Sequence, residues 1–115
     1  MDDTTSELRS ELGIAAGMLR RLRMMAHAKL KTPGNAVRWG PVDLEATNAL
    51  DSLSTAPTFP TDAEESQETS IRVVELATQV AVSVKKAVEL ARTPEDKLAC
   101  LDAAVHVSRL QRALL

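Results

Sequence analysis

Two histidines, one cysteine and a run of arginines and lysines are the side chains here whose chemistry goes beyond filling space. Asp102, His106 and Arg109 follow one another at spacings of four and three, which puts them on one face of a helix. Such a trio works as an acid–base group only beside a nucleophile or a substrate pocket, and the sequence offers neither, so a solvated charged cluster is expected. His27 and His106 stand outside any HExxH-type spacing. Cys100 is the only cysteine, so no cysteine-based metal site and no intrachain disulfide can be assembled. On an apolar helical stripe its thiol behaves as a small hydrophobe with, if anything, a raised pKa. A Gly-rich phosphate loop, a nucleophile elbow and paired carboxylates are also missing, so the expectation is no enzyme, no cofactor, no metal and no small-molecule substrate.

Charge is the remaining signal. Between Leu12 and Val42 stand Arg20, Arg21, Arg23, Lys29, Lys31 and Arg38 with no acid among them, whereas Asp43 to Ser70 holds seven acids and no base. Together with His27, the basic set is the candidate surface for an anionic partner, because cations on the outside of a helix can neutralise nucleic-acid phosphates. The competing reading is that the acidic block packs beside the basic one and cancels its field. A net charge of -2 and a pI near 5.7 weigh against a nucleic-acid protein, which is kept as the second expectation. Met18, Met24 and Met25, near the basic run, are read as core filling rather than as an adaptable binding surface.

The elements that would carry these groups are helices. The apolar fraction of 44% comes from Ala, Leu and Val, with one Phe, one Trp and no Tyr, a composition suited to closely packed helices rather than to strands. Thr4 and Glu7 form a capping box, after which Leu8, Leu12, Ala15, Leu19, Leu22 and Ala26 alternate at four and three residues. Gly13 and Gly17 lie off that seam and read as tolerated surface glycines. Pro33, Gly34 and Asn35 end the first helix. A connector from Ala36 to Gly40 carries Trp39, expected to plug one end of the bundle, and Gly40-Pro41 is read as the start of a second helix. Phe59, between two loop prolines, is expected to anchor its loop on the bundle.

A third helix has its clear body from Val73 to Ala91, and its start is either a second capping box at Thr61 to Glu64 or a point near Thr69. Val80 to Val84 alternates as a strand would, but the 3.6-residue period runs on through both flanks and predicts helix. Thr93 is a good N-cap, Pro94 suits the first helical position, and Glu95 and Asp96 sit at the positive end of the dipole of a fourth helix. That helix is apolar over most of its girth. Cys100, Ala103, Val107, Leu110 and Leu114 form one stripe, and Leu98, Leu101 and Val105 form a second beside Ala104. A helix of this kind has to be covered on several sides.

The stretch Arg92-Thr93-Pro94-Glu95-Asp96-Lys97-Leu98-Ala99-Cys100-Leu101 resembles a helix start seen in the vacuolar-sorting type of exchange factor for Rab GTPases. The resemblance covers about a tenth of the chain. The matched stretch does not extend to the region where that family keeps its catalytic acidic and tyrosine residues, no tyrosine is present, and capping chemistry accounts for most of the match, so no function is carried over from the resemblance.

The sequence thus predicts an all-α fold, a single domain over 1–115 with helices near 5–31, 41–54, 62–92 and 95–115, a loop over 55–70 with disorder a possibility in its acidic part, and a C-terminal antiparallel hairpin. The bundle is expected to be completed by oligomerisation if its own helices do not suffice. The expected function is a regulatory helical module for protein–protein interaction or assembly, working as a homo-oligomer. Its candidate interface is Leu8, Leu12, Leu19, Leu22, Trp39, Val107, Leu110 and Leu114. With no apolar run long enough for a signal core or a membrane span, the expected setting is the cytoplasm.

Overall fold

A computed structural model describes residues 3–60 and 72–115; the start of the third helix over 62–71 and the disorder expected in the acidic patch lie outside the described residues. Four helices form in chain order, α1 Asp3–Leu30, α2 Ala36–Ser54, α3 Val73–Leu90 and α4 Pro94–Ala113. They pack as a compact all-α bundle without strands among the described residues. In cross-section they form a ring, in which α1 touches α2 and α3, and α4 touches the same two. The pairs α1/α4 and α2/α3 are diagonals that do not meet.

Directions follow from contacts between helix ends. Arg38, in the first turn of α2, donates from its Nη2 to the carbonyl of Leu114 beyond the end of α4 at 3.1 Å. At the other end Thr58, just past α2, meets Asp96 in the first turn of α4. So α2 and α4 are antiparallel. Lys86, near the end of α3, lies 3.4 Å from Glu11 near the start of α1, so these two are antiparallel as well. The short break at Ala91 to Thr93 folds α4 back on α3 as the expected hairpin.

The α1 seam is buried as its spacing requires. Leu8, Leu12, Ala15, Leu19, Leu22 and Ala26 are all in the core. Gly17 is buried too, and a Cβ added at Gly13 would meet the Pro60 ring at 3.4 Å. These are therefore packing positions rather than surface glycines. After α1, Thr32 N–H bonds to the Lys29 carbonyl, and the Asn35 side chain donates to the same carbonyl at 2.9 Å. Gly34 has φ +94°, the left-handed region where a side chain costs energy, so the turn depends on glycine there.

The second helix begins at Ala36, five residues before the expected start, and Trp39 belongs to it rather than to a connector. Pro41 lies inside the helix. It deletes one bond, to the carbonyl of Val37 in the exposed first turn, where water can take over, and Gly40 in front of it lacks the Cβ that would crowd the ring. Trp39 is buried at one end of the bundle, as a plug. Phe59 is partly buried against the core, as expected of an anchor. Val80 to Val84 is helical, with Val80 and Val84 buried and Val82 outside.

Candidate functional site

The structure divides α4 into a covered side and an uncovered one. Cys100, Ala103, Val107, Leu110 and Leu114 are buried, whereas Leu98, Leu101 and Val105 are 61%, 46% and 49% exposed. Within the described residues of one chain, α4 is thus sheathed along one stripe and open along the other. The reason is the ring arrangement. With only α2 and α3 beside it and α1 diagonal, α4 keeps an outer face that no other described helix reaches.

That finding corrects the candidate interface. Leu8, Leu12, Leu19, Leu22, Trp39, Val107, Leu110 and Leu114 are each no more than 8% exposed, packed inside this chain's own core. They cannot reach a second molecule while the bundle stays folded. Apolar surface is left outside on the hairpin, as it is at Ile14, Val37 and Leu44 on α1 and α2. A groove of about 310 Å³ runs between α3 and α4, floored by Ala81, Val84, Val88 and Ala104, with Leu101 on its rim. Leu101 also borders a second hollow of about 530 Å³ at the α3–α4 turn, with Leu98, Pro94 and the stem of Lys97. Most of the atoms in both are carbon, so a partner here would be held by apolar burial.

The basic residues differ in what they touch. His27 Nε2 lies 2.8 Å from Asp43 Oδ1, misaligned for a hydrogen bond and so an ion contact when the imidazole is protonated. Lys29 Nζ stands 6.0 Å from the centroid of the Trp39 ring. Arg38 is held at the end of α4 by the Leu114 carbonyl. Lys31 is exposed in the turn after α1. Arg20, Arg21 and Arg23 are half-buried along α1 and make no ion pair among the described residues. The Nε atoms of Arg21 and Arg23 are covered without a hydrogen-bond partner there. Met18 is buried and Met25 packs against the core, but Met24 is 67% exposed and fills nothing.

Of the Asp102, His106 and Arg109 trio, expected as a solvated cluster, two members are in water and one is not. His106 turns toward α2 and donates from Nδ1 to Glu45 Oε1 at 2.8 Å, half-buried, while Asp102 and Arg109 stay in water. Asp96 is the functional-looking residue that sequence reasoning placed only as a dipole charge. It is 4% exposed and accepts two bonds from Thr58, 3.1 Å from the backbone N–H and 2.6 Å from the hydroxyl. Thr93 caps α4 as expected, its hydroxyl oxygen accepting from the Asp96 N–H at 3.2 Å. The cap signal was readable; its long-range partner was not.

Cys100 is fully buried, and burial, followed by the nearby Asp96 charge, raises its pKa to about 11. The sign of the consequence follows from linkage. The folded thiol is harder to ionise than the unfolded one, so its contribution to stability is intact below about pH 9 and is lost as pH rises toward about 11. Native protein at pH 8 should accordingly resist thiol alkylation on a timescale that labels the urea-unfolded chain completely, and the urea midpoint should fall between pH 9 and 11 more than in Cys100→Ala.

No protein-family model, curated protein or solved structure matches this chain. Among the described residues no helix is long and apolar enough to cross a membrane, and no three His, Cys, Asp or Glu side chains converge to hold a metal ion.

Proposed function

We propose that this protein is a non-enzymatic, regulatory interaction or assembly module that binds protein through the outer face of its α3–α4 hairpin, in a cytoplasmic setting that suits its single reduced thiol. The observation that carries the reading is the ridge of Leu98, Leu101 and Val105, exposed side by side on α4 with Leu101 bordering an apolar groove; the other exposed aliphatic side chains, Ile14, Val37, Leu44, Val74, Val82 and Leu115, are spread over α1, α2, α3 and the C-terminus. Large aliphatic side chains gathered on one face cost solubility, and such patches are typical of surfaces that meet another macromolecule. The bundle behind it presents that face as it stands, because Thr93 and Asp96 hold the start of α4, Glu45 its middle and Arg38 its end.

The test is a photo-activated crosslinking residue placed at Leu101 or Val105, and for comparison at Thr78 and Asp51, in the protein expressed in its native cells. Discrete protein adducts from the first two positions and none from the others are expected. Adducts equal at all four positions, or absent from Leu101 and Val105, would overturn the reading. Binding of nucleic acid through α1 is the second reading, and what favours it is that Arg20, Arg21 and Arg23 have no carboxylate partner among the described residues.

A further inference from the structure

The exposed ridge of α4 has edges as well as a crest. On one edge Glu95, Asp102 and Arg109 recur every seven residues, and all three are exposed. On the other edge stand Lys97, Ala104 and Gln111. Leu98, Leu101 and Val105 occupy the crest at spacings of three and four, the pattern of a helix–helix seam, with the charged residues in the flanking positions that choose a partner and its direction.

Resting on the reading of this face as an interaction surface, we propose that its occupant is a second copy of the chain, with α4 lying antiparallel on α4 about a two-fold axis. In an antiparallel pair like edges face each other. The register that sets Glu95 against Arg109 of the second copy does so twice, by symmetry, and centres the pair on Asp102. The mean position of Leu98, Leu101 and Val105 falls within one residue of that same centre. Apolar overlap and charge pairing, which are independent properties of the sequence, therefore select one register. A parallel pair would match Lys97 with Asp102 of the second copy, but it would stack Arg112 on Arg112 and leave Glu95 with no opposite charge.

The seam is narrow. One helix against one helix buries less than the roughly 800 Å² per partner of a standard stable interface, so the dimer forms in the micromolar range rather than as an obligate unit. Regulation by concentration follows directly from that weakness. Asp102, opposite its own copy near the axis, is the repulsive element at the centre of the register. It tunes the dimer toward dissociation.

Sedimentation equilibrium of the full-length protein decides the matter, with circular dichroism as the control for helicity. The unmodified chain should show a reversible monomer–dimer equilibrium. Glu95→Arg and Arg109→Glu should each weaken dimerisation by about tenfold, and the double swap should restore it, because the two charges meet only across the axis. Asp102→Asn should tighten it several-fold, and Lys97→Glu should leave it nearly unchanged. A monomer at every concentration up to the submillimolar range, or the loss of dimer on Lys97→Glu with its rescue by Asp102→Lys, would overturn the antiparallel seam. A monomer that still gives crosslinks to a different protein at Leu101 ends this inference and leaves the interaction face standing; no adducts at Leu101 ends both.

Discussion

Leu110→Lys is expected to leave no cooperatively folded protein at room temperature. Leu110 is fully buried on the covered stripe of α4, among the largest side chains with no exposure. Lysine there forfeits about 2–3 kcal/mol of apolar burial. It also has to bury an ammonium group without an acid beside it or to open the bundle and reach water, at a further cost of several kcal/mol. A domain of this size has roughly 5–15 kcal/mol of stability in total, so the sum approaches or exceeds what is available. Circular dichroism in a urea titration reads it directly, and a sloping signal without a midpoint is the expected form.

Asp96→Ala is expected to cost about 2–4 kcal/mol, since hydrogen bonds to a charged group are worth more than neutral ones and two are lost at once. Both come from Thr58, so the substitution cuts the connection between the loop after α2 and the start of α4. It also removes a negative charge from the first turn of α4, where the helix dipole favours one. Thr58→Ala should cost less, because it removes the hydroxyl donor and keeps the backbone one. In the double variant the costs should fall short of additive, the surplus measuring the coupling. Limited proteolysis near Pro57 to Pro60 should speed up in step with the loss. Urea midpoints at constant slope are the measurement, and an Asp96→Ala protein as stable as the parent would remove Asp96 from its role as the tie between loop and helix.

How far the fold could be read from residues depended on whether the signal was local. The cap at Thr93-Pro94 and the seam from Leu8 to Ala26 are matters of spacing within one helix, and both stand as read. The valine run from Val80 to Val84 was settled by the period of its flanks. The start of α2 was misread because Gly40-Pro41 is ordinarily a stop or a start. Here the proline falls one turn into the helix and deletes only the bond to the exposed Val37 carbonyl in the first turn, while Trp39 packs against the core.

The site was harder to read for a related reason. Two stripes of α4 are about equally apolar, and periodicity reports apolarity without reporting how many neighbours a helix has. A ring of four gives α4 two, so one stripe is covered and Leu98, Leu101 and Val105 are not. The residues expected at an interface were chosen for being the most regular, and regularity is what the core selects. Contacts such as Glu45 with His106 and Thr58 with Asp96 join groups 61 and 38 residues apart, and only the assembled bundle brings them together.

The proposed function depends on α4 having one face bound into the bundle and the other open to a partner. The thermal midpoint of Leu101→Lys, taken beside that of Leu110→Lys in dilute solution where monomer prevails, tests this most directly. The structure predicts a midpoint for Leu101→Lys close to that of the parent and no cooperative transition for Leu110→Lys. A Leu101→Lys protein that is lost as completely as Leu110→Lys would show that this face is part of the core, and would contradict the account.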